Sequence, residues 1–401
     1  MGTICDKLEY LVDTKQAIKD AIVSKGVSIS DSDTFRSYPA RIARISEKEN
    51  KPLYNATVKD LIGEVDANGQ LNTSTTELDL VFDGVENIGD YVLRSKFHTS
   101  TGIKVKSLSM PHLTKINGAY ACSTAFGSQK TLTTVNLNSL EEIKCAGTSG
   151  NTTASMFVDC TNLTSVNIKN LHTLSGYYAC ASMFYNCSSA DFDLSKIKTI
   201  SGTNCAQRMF YNAGITNINL SKLTVLTDYN ACQGMFENTS KAVSADLSGL
   251  TRISGGNTCS SMFSYSGIKS IDLSNLESIE GDYTCSGMFT RSGLTGDIHF
   301  HKLSRILGQS SGYTCRGMFS ETNISNIYFH SLTTVGSKSN IFNGMLSYTT
   351  GVTVHFPAAL ESVIGSWEDV VNGFGGTNTT VLFDLGKEGS GTTDDGSYTP
   401  R

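Results

Sequence analysis

Proline and tryptophan are nearly absent from this sequence of 401 residues, which has 5 prolines and a single tryptophan, Trp367. Charge is sparse too: 17% of residues are Asp, Glu, Lys or Arg, and the net charge is −5 with no long basic or acidic block. That balance argues against nucleic acid or an anionic membrane as the main partner, since both select clustered Lys and Arg. No apolar run approaches the length of about 18 residues that a membrane-spanning helix requires. The opening "MGTICDKLEYLVDTKQAIKDAI" lacks a basic region followed by an apolar stretch, and it reads as no secretory signal. Cys5 has no hydrophobic stretch before it, and Asp6 stands where a myristoylation pattern wants Ser or Thr. The expectation is synthesis in a cytoplasm with no anchor of its own.

The motifs of common chemistry are missing as well. There is no C-x-x-C, H-E-x-x-H, P-loop or G-x-G-x-x-G context, and the 7 histidines form no Ser-His-Asp order. Zinc would need paired Cys or His ligands at short spacing. The chain is therefore expected to be no enzyme and to carry no cofactor and no metal. A hydrolase acting on surface polysaccharide, the enzymatic alternative, would need a carboxylate pair in a cleft, for which Asp246 and Asp272 are the residues to test.

Glycine, serine, threonine and asparagine are abundant, and they recur in register. The pair Met-Phe begins at Met156, Met183, Met209, Met235, Met262, Met288 and Met318, with degenerate copies at Ala125-Phe126 and Met345-Leu346. Between these marks lies a second signature, as in "LTTVNLNSLEEI", "ITNINLSKLTVL" and "IKSIDLSNLESI". Weaker copies ("TELDLVFDGVENI", "VKSLSMPHLTKI") extend it back to about residue 76. A repeat near 27 residues marks a solenoid, in which one coil cannot bury its apolar face alone and stacked coils can. Within a coil, apolar-x-apolar triplets such as Ile271-Asp272-Leu273 predict a half-buried strand. Leu276 and Ile279 turn the chain back over the core. A Gly turn follows, and then Cys and Met-Phe at a spacing that predicts one short helical turn aiming them inward.

These coils follow leucine-rich-repeat logic, and they resemble the BspA-type leucine-rich repeats of bacterial and phage surface proteins. The run "MF-x-x-C/S-x-x-L-x-x-V-x-L-x-x-L" that marks those repeats stands here as "SMFVDCTNLTSVNIKNL" and "SMFYNCSSADFDLSKI". The resemblance covers roughly residues 76 to 360 and implies a β-rich α/β solenoid used in adhesive contexts.

Seven of the 11 cysteines, Cys122, Cys180, Cys205, Cys232, Cys259, Cys285 and Cys315, hold the same place in successive coils, with Cys205 offset by one. Thr153 and Phe342 take that place in two other coils, which a packing position tolerates and a ligand or bridge does not. The column reads as core thiols packed beside Met and Phe. Disulfides between neighbouring coils and a metal site remain the alternatives.

Strand alternation turns a column of residues outward: Asn136, Asn167, Asp193, Asn219, Asp246, Asp272, His299, Tyr328 and His355. It changes from amide and carboxylate to His and Tyr over the last three coils. Two positions along stand His301 and His330, expected as near neighbours. His299, His301, Tyr328, His330 and His355 are thus a candidate receptor-contact patch, against the plainer reading of a surface strand with aromatic side chains. A second column follows the Gly turns: Tyr120, Tyr178, Tyr283 and Tyr313, with Tyr229 one place earlier. It reads first as a structural tyrosine ladder and second as a glycan contact.

The ends break the period. Leu8, Leu11, Ile18 and Ile22 form one helical stripe; Phe35, Tyr38, Ile42 and Ile45 form another, begun by Asp33 and weakened by Pro39. The stretch "DTKQAIKDAIVSKGVSISDSDTFRSYPARI" resembles the N-terminal segment of tail-fibre and related virion proteins of tailed phages, where the usual ending is closer to "FRSYADKI". That resemblance implies attachment of a distal repeat domain to a particle; the plainer reading is a helical cap on the solenoid. Residues 1–50 are read as the attachment or oligomerisation segment, 51–75 as an N-terminal β cap, 76–365 as the solenoid, 366–385 as a C-terminal cap and 386–401 as a tail. The implied function is host-surface adhesion from a tailed-phage particle, through a glycan or protein receptor, in a homo-oligomer with other virion proteins as partners. A bacterial BspA-like adhesin or interaction protein is the alternative.

Overall fold

The computed structural model of the chain describes residues 14–16, 18–20, 77–145, 150–309, 312–336 and 339–386. Residues 14–16 and 18–20 are helical, so Ile18 of the expected stripe is placed in a helix. Leu8, Leu11, Ile22, Phe35, Tyr38 and Ile42, the β cap at 51–75 and the tail beyond residue 386 lie outside the described residues.

From residue 77 onward the chain winds as a parallel β-solenoid of about eleven coils. A typical coil contributes a first strand, a second strand and a turn-rich arc. Every strand pair is parallel, and apart from single shifts at Leu78/Asp79, Gly296/Asp297 and Phe356/Pro357 the register is kept, so equivalent residues stack. Leu108, Val135 and Val166 form one inward column of the first strands. Leu226, Ile253, Ile279 and Ile306 form one of the second strands. Parallel strands buried on one face by their own coil need an apolar residue at the same place in each, which is why the repeat is legible.

The arc is not the short helix that the spacing predicts. Between Tyr178 and Cys187 alternate N–H groups point in two directions. Those of Tyr178, Cys180, Ser182, Phe184 and Asn186 donate to carbonyls of the next coil, Thr203, Cys205, Gln207, Met209 and Tyr211. Those of Ala179, Ala181, Met183, Tyr185 and Cys187 donate three residues back within their own coil. A helix would spend all these donors inside one coil and leave the stack untied. The price is a left-handed residue every fourth position, here Tyr178 (φ 50°), Ser182 (φ 53°) and Asn186 (φ 60°). Asn, which tolerates this conformation, is the commonest residue at these positions along the stack, and Tyr, Ser and Gly follow.

This ribbon aims Met and Phe inward. Phe97, Phe126, Phe157, Phe184, Phe210, Phe236, Phe263, Phe289 and Phe319 are all fully buried and stack coil on coil. Ring centroids lie 5.2 to 5.6 Å apart along the column. The ten described cysteines are free and buried. Burial pushes the Cys180 thiol up to about 12. Cys160 and Cys187 donate S–H to the carbonyls of Phe126 and Phe157 in the preceding coil, each at 3.2 Å.

Among the described residues the first-strand ladder is interrupted twice, around Asp191 and between Asp272 and Thr295. At Asp191 it is reduced to a single bridge with Ser165. The Asp191 carboxylate replaces the missing rungs: it accepts from the Thr216 N–H at 3.0 Å and from the Thr216 hydroxyl at 2.7 Å. Phe192, in the place where other coils hold a smaller Val or Ile, packs against both Phe184 and Phe210 with centroids 4.8 Å away.

At the far end, short helices Glu361–Ile364 and Glu368–Val371 bury Ile364 and Val370. Strand Thr380–Leu385 then pairs parallel with Thr353–Pro357. The segment expected as a cap at 366–385 therefore also supplies the last strand of the sheet.

Candidate functional site: the outward ring ladder

The outward column ends differently from how it begins. Asn219 Oδ1 accepts from the Ser221 N–H at 3.1 Å, Asp246 Oδ1 from Ser248 at 2.9 Å and Asp272 Oδ1 from Ser274 at 2.9 Å. Asp193 does the same with Ser195, and the Ser195 hydroxyl and N–H hold its carboxyl below the usual range. These side chains close an Asx turn two residues on and stop each strand at the Asx itself. Asp246 and Asp272 therefore serve turns at the ends of adjacent strands.

His299 and Tyr328 have no such carboxylate or amide oxygen to offer, and their strands run on through Phe300 and Phe329. The longer ladder places His299, Tyr328 and His355 directly side by side on three adjacent strands. Their rings stack: His299 on Tyr328 at 4.7 Å and 3°, Tyr328 on His355 at 4.4 Å and 10°. His301 and His330 form a second row, 5.0 Å apart, with His299 and His330 at 5.4 Å. The rings cover one another, so Tyr328 is only 7% exposed while the four histidines are half-buried.

The electrostatics follow from this crowding. Burial first, and then the neighbouring His301, His299 and His355, push His330 down to about 4. His299 is lowered by burial and by His301, with Asp297 opposing. At the edge of the ladder, His355 Nδ1 lies 3.0 Å from a carboxylate oxygen of Asp384 on the last strand. The result is a flat aromatic band bounded by Asp297 and Asp384, in which burial favours the neutral form of His299 and His330. Such a band can stack on a planar or apolar ring face and hydrogen-bond hydroxyls through imidazole nitrogens. Among the described residues no group of three or more His, Cys, Asp and Glu side chains could hold a metal ion.

Residues 120–250 match the family model described as "Mycoplasma protein of unknown function, DUF285". That match and the coil geometry fit a BspA-like repeat protein. No curated protein matches the chain. Among solved structures the chain is similar to a plant peptide hormone receptor, RGFR1, in complex with RGF2, at 12% identity and a TM-score of 0.15. The similarity covers 73% of this chain and 64% of that receptor chain.

The tyrosine column does not form one ladder. Tyr120, Tyr178 and Tyr283 sit at the first left-handed position of the arc, but Asn151, Asn204, Asn230 and Asn257 hold that position in other coils. Tyr229 stands one residue before it. Pairs form instead: Tyr91 on Tyr120 at 5.4 Å with Arg94 over the Tyr120 ring at 4.5 Å, and Tyr283 on Tyr313 at 5.3 Å. Tyr178 meets Tyr177 edge-on at 4.6 Å. Asp384, which borders the ring ladder, was not among the sequence candidates. It lies about one coil beyond His355, where the period has already lapsed.

Proposed function

We propose that this chain is an adhesion module, and that the ring ladder of His299, His301, Tyr328, His330 and His355 is its receptor-contact face. One observation carries the reading. The side chains that close turns in the earlier coils give way, at the same outward place, to the stacked rings of His299, Tyr328 and His355 over three coils, with His301 and His330 in a second row beside them. Nothing in the packing of a coil asks for that exchange, since Asn and Asp serve the same position elsewhere. Repeat solenoids present extended rigid faces of this kind to partners. Several copies of a modest contact gain overall strength through effective concentration.

The finer placement is on a tailed-phage particle, as a tail-fibre or baseplate-associated subunit and a homo-oligomer, with residues 1–50 attaching to other virion proteins and the solenoid meeting a host-surface glycan or protein. It rests on the resemblance of the N-terminal segment alone. A bacterial surface adhesin is the second reading, favoured by the family match over residues 120–250. Deleting residues 1–45 separates the two: a virion protein is lost from particles in a mass spectrum, whereas an independent adhesin keeps binding cells. For the face itself, His301→Ala with His355→Ala should weaken attachment of the purified full chain to host cells while leaving its melting temperature within a few degrees. Unchanged attachment by the doubly substituted, folded chain would remove the ring ladder as the contact face.

A further inference from the structure

The arc presents a different surface in the last coils. Its middle left-handed position is Ser155, Ser182, Arg208, Gly234 and Ser261 in earlier coils, and then glycine in three successive coils, Gly287, Gly317 and Gly344. Backbone conformation does not require these glycines, because Ser182, Arg208 and Ser261 adopt φ of 53°, 50° and 54° at the same place. Nor does packing at Gly317, where a Cβ would meet nothing nearer than the Ser320 Cβ at 4.0 Å. The three missing side chains clear the floor of a hollow of about 250 Å³. Its walls carry the hydroxyls of Thr290, Ser320 and Ser347, the Asn343 amide and the Arg316 guanidinium, and no carboxylate.

A second hollow, of about 370 Å³, begins one residue further along the same three coils. Arg291, Glu321 and Tyr348 line it, and each follows directly on a residue of the first hollow, namely Thr290, Ser320 and Ser347. The two form one furrow across three coils. Arg291 Nε lies 2.6 Å from Glu321 Oε2, and its Nη1 donates to the Tyr265 hydroxyl at 2.8 Å, so this pair is held in place. Tyr348 projects beside it, 85% exposed. The Arg316 guanidinium, from the first hollow's lining residues, stands 5.5 Å from the Tyr313 ring, which stacks on Tyr283.

We propose that this furrow binds an acidic oligosaccharide. A flat exposed ring stacks on a sugar face. A fixed arginine–glutamate pair supplies adjacent donors and acceptors for vicinal hydroxyls. An arginine amid hydroxyls, with no carboxylate in its hollow, takes an anionic substituent by charge-assisted hydrogen bonds. The length over three coils suits a short chain of sugars rather than a single one. The adhesion reading explains why such a ligand would be met, but the site stands on a side of the coil different from the ring ladder.

Calorimetric titration of the full chain with oligogalacturonate, and with uncharged maltohexaose beside it, tests the assignment. The acidic chain should bind and the neutral one should not. Tyr348→Ala and Arg316→Gln should each weaken binding about tenfold or more. Gly317→Asn, which tolerates the left-handed backbone, should fill the floor and abolish it. Folding of each variant is checked by its melting curve. Equal affinity for maltohexaose, affinity unchanged in Tyr348→Ala and Arg316→Gln, or no binding across a panel of acidic oligosaccharides would overturn it. His301→Ala with His355→Ala should leave oligosaccharide binding intact, so failure of the ring-ladder reading and failure of the furrow are read separately.

Discussion

His299 Nδ1 lies 3.1 Å from His330 Nε2, one imidazole hydrogen-bonded to another across neighbouring strands. One of the two nitrogens must lack a proton for this contact to form, so the pair accepts full protonation only by breaking. Asp297, His301 and His355 are the titratable groups that act on the pair, and of these only Asp297 favours its protonation.

The consequence is a stability that falls in acid. The folded pKa of His330 is about 4, against an ordinary value of 6.5, and that of His299 is also lowered. The unfolded chain then binds more protons than the folded one once pH drops below 6.5. Stability is complete above that point and is lost as pH falls toward the folded value. Melting temperatures measured from pH 7.5 to 4 should show this decline, and His330→Gln should flatten part of it. A wild-type curve that rises over that window would contradict the assignment.

The phenylalanine column should respond as core. Phe236→Ala removes a fully buried ring between Phe210 and Phe263 and should cost about 3–5 kcal/mol in urea unfolding. Because coils contact only their neighbours, the loss should appear partly as a broadened, less cooperative transition. A shift under about 1 kcal/mol would show that the column relaxes around the gap.

The thiols should be silent until the coil opens. Burial drives Cys232 and Cys259 well above the ordinary thiol range, with each neighbouring thiol adding to the effect. A thiol reagent should leave both unmodified in the native protein and label both in denaturant, and reducing agents should not move the melting temperature. Cys232→Ser, which buries a hydroxyl in an apolar slot, should cost about 1–3 kcal/mol, more than Cys232→Ala if the slot closes well. Native labelling of either residue would contradict the packed-core role.

The Asp191 side chain stands in for a missing strand rung. Asp191→Ala should speed hydrogen exchange at the Thr216 amide, whose acceptor it removes, and should cost about 1 kcal/mol. Asp191→Asn keeps an acceptor oxygen and should retain much of the protection. Equal exchange in both variants and the wild type would show that water or backbone replaces the carboxylate.

Much of the interior could be read from residue order. Met-Phe, the cysteine column and the apolar triplets recur because stacked coils must each supply the same inward group. The nearness of His301 and His330 follows from the same period. The arc could not be read in this way. A spacing of three residues from Cys to Met fits a helical turn and also fits successive tight turns, and only the second leaves alternate N–H groups free for the next coil. The Tyr column misled for a related reason: its positions are set by a left-handed backbone that Asn fills equally well, so tyrosine recurs without forming a ladder.

By itself, then, the sequence determined that the chain is a solenoid, where its coils begin, and which residues each turns inward, since burial makes the same demand at every repeat. Tertiary structure decided how the surfaces are assembled. The ring ladder needs three strands in register, and the furrow needs three glycines that lie about a coil apart along the chain. Arg291, Arg316 and Tyr348 become neighbours only when the coils stack. Local pattern carries the core because each coil states it again; a site assembled from unlike residues of successive coils is stated once, in space.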